Sequence, residues 1–144
     1  MSILIIHPVF QLIVTVLGLY VLKLGVGRIR RLHLRQKIVF RWQRHVWLGS
    51  ITLVCWLLGM FSGLITVKMY WHGIFITGTH GKRAYIILPL IVFGIISGWY
   101  MNKQKKQRLI LPIIHGSNNI LLVIMVLLQA VSGWQVYNVF VLGN

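Results

Sequence analysis

Four stretches of this chain, residues 1–22, 46–67, 84–102 and 109–144, contain no lysine or arginine, and aspartate and glutamate occur nowhere. A helix needs about 20 predominantly apolar residues to cross the hydrocarbon of a bilayer, and each stretch supplies them. A soluble domain carries about 25% charged residues of both signs. Here the share is 10%, all of one sign, and 58% of residues are hydrophobic. The 144 residues therefore read as one all-α integral membrane domain, residues 1–144, forming an up-down four-helix bundle. The spans are expected at about 8–27, 46–67, 84–102 and 112–138, with Lys23 snorkelling near the end of the first. Pro8 and Pro112 suit a first helical turn, where a missing N–H costs nothing, and Pro89 is expected to bend the third span. The N-terminus lacks the basic segment of a cleaved signal peptide, so the first span is expected to stay with the fold.

The basic residues fall between spans one and two, from Arg28 to Arg44, and between spans three and four, from Lys103 to Arg108. With Lys23 these account for 12 of the 15, leaving Lys68, Lys82 and Arg83 for the other connection. The positive-inside rule puts both basic loops in the cytoplasm and both termini on the non-cytoplasmic side. The membrane expected is a bacterial inner membrane or an equivalent energy-transducing one. Charge dispersed in short blocks between apolar spans suits lipid headgroups and acidic cofactor groups, not nucleic acid. Tryptophan and tyrosine gather at span ends as an interfacial belt, with Trp56 as the mid-span exception.

The absent carboxylates exclude paired-carboxylate hydrolysis, a Ser-His-Asp triad, carboxylate sites for calcium or magnesium, and a proton path built on Asp or Glu. A single cysteine, Cys55, can form neither an internal disulfide nor a thiolate cluster. Imidazole is the chemistry that remains. His7, His45, His80 and His115 stand at the N-terminal ends of the four spans, 38, 35 and 35 residues apart. Because the chain alternates direction, His7 and His80 fall at the outer surface, and His45 and His115 at the inner one.

Eighteen residues after each histidine stands a glycine, at Gly25, Gly63, Gly98 and Gly133; serine precedes it at Ser62, Ser97 and Ser132. Eighteen residues make about five turns and about 27 Å, so each glycine shares its histidine's face at the opposite membrane surface. A position without a side chain there lets a bulky planar group lie against the backbone. One histidine at a helix end is ordinarily an interfacial cap, and one glycine a packing contact. Four of each, in step with the topology, point to bis-histidine haem ligation, in which low-spin iron takes one neutral imidazole from each side of the ring. Zinc or copper sites ordinarily want more ligands than two histidines.

Two haems b are therefore expected, with axial pairs His7–His80 and His45–His115. Lys82 and Arg83 beside the one, and Arg41 and Arg44 beside the other, are placed to pair with propionates. His33 is expected to face solvent or headgroups, and His72, eight residues before His80, is the alternative ligand there. Gln129, Asn118 and Asn119 are expected to satisfy helix contacts, and Gln129 or His72 is the alternative candidate as a hydrogen-bond partner for a quinone.

With one histidine in each of four core helices at near-equal spacing, the chain resembles the cytochrome b561 superfamily. The resemblance covers most of the chain. It implies the same two axial pairs and transmembrane electron transfer, by an electron-transfer protein or as the membrane subunit of a redox complex. The rival expectation is a non-redox membrane scaffold or assembly subunit, in which the histidines cap helices and the glycines only pack.

Overall fold

A computed structural model of the chain describes residues 2–73 and 76–143. A 3-10 turn, Ser2–Ile5, leads into α1 (Ile6–His33); α2 (Trp42–Trp71), α3 (Thr79–Lys103) and α4 (Ile110–Tyr137) follow, and a π turn, Asn138–Leu142, extends the last helix. No strand occurs among the described residues, and all four helices are long and apolar enough to cross a membrane. Each outruns the expected span. Apolarity marks the slab of hydrocarbon, whereas helix ends are set by where backbone bonding stops, and lysine and arginine are good helix formers. Hence α1 runs on through Arg28, Arg30 and Arg31, and α3 begins early enough to carry His80, Lys82 and Arg83 in its first two turns. Pro8 and Pro112 each occupy the third position of their helix, where the amide has no intrahelical acceptor to lose, and α3 continues through Pro89.

Each helix packs against two others: α1 on α2 and α4, and α3 on α2 and α4. The helices thus form a ring in which α1 lies opposite α3, and α2 opposite α4. The buried apolar core is Val14, Leu53, Trp56, Ile87, Ile91, Leu122, Val123 and Val126. Counted from each helix's own histidine, these residues recur two and three turns on, so one stripe per helix carries a histidine at one end, the core in the middle and a glycine at the other end. Where α2 places the large Trp56 ring in this stripe, α1 places Gly18, buried against it. A methyl on Gly18 would stand 2.6 Å from that ring. Outside the stripe, Leu12, Ile13, Val16, Leu58, Ile65, Ile96 and Val131 are exposed. In water such a surface would be a liability; in a bilayer it is the ordinary lipid-facing side.

With no carboxylate to pair with, the cations find other partners. Lys103 lies over Trp99, Lys105 over Trp42 and Arg108 over Tyr100, at 4.6–5.0 Å from the ring centroids. Arg30 and Arg108 also donate to the side-chain carbonyls of Gln36 and Gln104.

Candidate functional site: two histidine pairs at opposite ends of the bundle

His7 and His80 begin α1 and α3, which face each other across the ring. His45 and His115 lie in the first two turns of α2 and α4, the other facing helices. Since neighbouring helices run antiparallel, the two pairs occupy opposite ends of the bundle. Among the described residues no group of three or more His, Cys, Asp or Glu gathers at one point. The histidines meet in twos.

All four imidazoles are half-buried, and each is seated on a glycine of the neighbouring helix. His7 lies on Gly63, His45 on Gly25, His80 on Gly133 and His115 on Gly98; a methyl built there would approach the ring's Cε1 to 2.8, 3.2, 3.0 and 3.4 Å respectively. The eighteen-residue offset is thus a device between helices. In an antiparallel hairpin it sets the end of one stripe level with the start of the next. The planar group lying against each glycine in this structure is the imidazole of the adjacent helix.

The outer edge of every ring is held. His7 Nδ1 lies 3.4 Å from Ser62 Oγ, His80 Nδ1 3.3 Å from Ser132 Oγ, and His115 Nδ1 2.8 Å from Ser97 Oγ. His45, whose glycine is preceded by Leu24 instead of serine, places Nδ1 3.2 Å from the Val21 carbonyl oxygen. The serines were visible as a repeat before glycine; their contact with the imidazoles of the next helix needed the hairpin geometry.

A cavity of about 1660 Å³ opens around the second pair. His45, His115, Gly25, Gly98 and Trp56 line it, and Arg28, Arg31, Lys105, Lys106 and Arg108 stand around its basic end. Ligand pockets commonly measure about 300–1,000 Å³, so the cavity has volume enough for a large ligand. Arg28 is the cation whose charge reaches both His45 and His115. The sequence places Arg41 and Arg44 beside His45 as candidate propionate partners. In the structure Arg44 is exposed, lies 3.5 Å from the Tyr20 hydroxyl and is not among the residues lining the cavity. At the other end Lys82 is exposed, while Arg83 donates to the Leu128 carbonyl at 2.8 Å and its charge reaches His80.

The remaining polar residues divide by role. His72 caps α2 in a left-handed conformation (φ 57°), exposed, with its N–H bonded to the Lys68 carbonyl; it is His80 that sits on a glycine inside the bundle. His33 is the last residue of α1, and its side chain lies outside the described residues. Asn118 donates to the Leu90 carbonyl and Gln129 to the His80 carbonyl, tying α4 to α3, whereas Asn119 donates to the His115 carbonyl of its own helix. Gln11, one turn beyond His7, presses its amide against Gly59 and leaves its buried Oε1 without a hydrogen-bond partner among the described residues; Gln129 Oε1 and Trp56 Nε1 are also unsatisfied.

Compared with family models, curated proteins and solved structures, the chain matches none.

Proposed function

We propose that the chain is a four-helix membrane cytochrome b of the cytochrome b561 kind, carrying electrons across a bilayer between two bis-histidine haem sites. The observation that carries this reading is the pair of facing histidines at each end of one bundle, every ring seated on a glycine and engaged at Nδ1. The residues present fit the group. His7 and His80 would hold one haem and His45 and His115 the other, with the glycines seating the imidazoles and the cavity at the second pair leaving room for a large ring. Arg28 with Arg31 and Arg108 at the one end, and Arg83 at the other, would neutralise propionates that no acidic residue competes for. Bound haem supplies one-electron chemistry. The chain's part is to supply axial nitrogens, exclude water from the middle of the path with its apolar core, and hold two sites at a fixed separation.

In this reading the basic loops face the cytoplasm, both termini lie on the other side, and the membrane is a bacterial inner membrane or its equivalent. A quinone is the proposed small-molecule electron partner, and the chain acts alone or as the membrane subunit of a redox complex.

Purified protein reconstituted into liposomes around trapped ferricyanide tests the reading, with ascorbate added outside. The expected result is ferricyanide reduction well above that in protein-free liposomes, abolished in a His7→Ala/His115→Ala double variant. A rate equal to the protein-free control would leave the scaffold reading in its place.

A further inference from the structure

We propose that Ser62, Ser97 and Ser132, together with the Val21 carbonyl, are positioning groups that fix the proton of each histidine on Nδ1 and so turn Nε2 into the metal-facing lone pair. This rests on the reading of the four histidines as haem ligands.

His45 states the case most sharply. Its Nδ1 faces a backbone carbonyl at 3.2 Å, and a carbonyl only accepts. Were Nδ1 unprotonated, two lone pairs would confront each other inside the bundle, so the proton belongs on Nδ1 and the lone pair on Nε2. The serines reach the same result by a different route. A hydroxyl has one proton, and each serine spends it on its own helix: Ser62 donates to the Gly59 carbonyl at 2.8 Å, Ser97 to that of Phe93 at 2.6 Å, and Ser132 to that of Leu128 at 3.2 Å. What each oxygen offers its histidine is therefore a lone pair, and Nδ1–H donates to it. Four rings on four helices thus carry the same tautomer, held from the neighbouring helix.

A histidine that donates its second N–H is a more basic ligand with a fixed ring plane, and losing such a partner typically weakens metal binding about 10–100-fold. The four holds are unequal. The His115–Ser97 bond is 2.8 Å and Ser97 is buried, whereas the His7–Ser62 bond is 3.4 Å and Ser62 is exposed. The effect of removing the hydroxyl should follow that order: Ser97 first, then Ser132, then Ser62.

The experiment compares Ser97→Ala and Ser62→Ala, with Ser97→Thr as the variant that keeps the hydroxyl. Midpoint potentials and low-spin ferric electron paramagnetic resonance are read on haem-loaded protein, and imidazole nitrogen-15 spectra on haem-free protein. Ser97→Ala should raise the potential of one haem only, because a less basic imidazole favours ferric iron less. A tenfold larger loss of affinity for the ferric than the ferrous form corresponds to a rise of about 59 mV. It should also shift that haem's resonance spectrum and remove the Nδ1–H signal of one histidine in the haem-free chain; Ser97→Thr should restore all three, and Ser62→Ala should do less. A potential and resonance spectrum unchanged by Ser97→Ala in haem-loaded protein would overturn the proposal while leaving the cytochrome reading intact. If the wild-type protein takes up no haem, the cytochrome reading fails. The proposal then falls with it as a statement about metal ligands, whatever tautomer the nitrogen spectra report.

Discussion

On the proposed reading, replacing His115 with alanine is expected to remove one of two haems from the purified protein and to leave the other spectroscopically unchanged. Among the described residues no third imidazole, thiol or carboxylate stands at the pair to replace the lost ring. Asn119, one turn on, spends its amide on the His115 backbone carbonyl. The remaining pair is insulated by distance. His7 and His80 sit at the far end of a stripe some eighteen residues long, about 27 Å of helix, and sites that far apart contribute independently. Haem content is therefore expected to fall from two per chain to one, and the His7→Ala/His115→Ala protein to be colourless. His72→Ala is the control: a residue exposed on the cap of α2 leaves both haems in place. Loss of both haems in the single His115 variant, with the helix content of the wild type, would contradict the independence of the two sites.

The second large effect comes from a single methyl group. In Gly63→Ala the new Cβ stands 2.8 Å from His7 Cε1, closer than side-chain carbons come to one another, and the ring it strikes is the one the site depends on. Either the ring tilts or α1 and α2 separate; overpacking of this kind costs about 1–3 kcal/mol. The expected result is a lower melting temperature and selective loss or spectral broadening of the haem held by His7 and His80. Gly98→Ala is the matched comparison, because its Cβ meets His115 Cε1 at 3.4 Å, an ordinary contact, and is tolerated. Gly133→Ala and Gly25→Ala, at 3.0 and 3.2 Å, fall between them in that order. Equal effects at Gly63 and Gly98, measured by haem retention during thermal unfolding, would show that the glycines do not act through the rings they touch.

That His7 and His80 stand at one end of the bundle and His45 and His115 at the other was legible in the sequence, because alternation of direction in a four-span chain leaves no other arrangement of levels. The charge-free stretches likewise marked all four helices. Their ends were not legible: hydropathy reports where hydrocarbon stops, and α1 continues helically through Arg28–Arg31 beyond that point. The glycine repeat was visible as a spacing along one helix, but its contact lies across to the next, where Gly63 meets His7 and Gly133 meets His80. Arg44 was chosen by its nearness in sequence to His45. In three dimensions Arg44 lies outside the cavity, and it is Arg28, from the preceding helix, that lines it with His45 and His115. Contacts within a helix follow from periodicity, whereas contacts between helices depend on rotation and crossing that one sequence does not state.

The central claim is that two haems sit on four histidines, and counting them is its most direct test. A reduced-minus-oxidised absorption spectrum of the purified protein, from cells well supplied with haem, gives the type. A pyridine haemochrome assay against protein concentration gives the number. The account predicts a b-type spectrum and two haems per chain, whereas a colourless protein with the full helix content would contradict it.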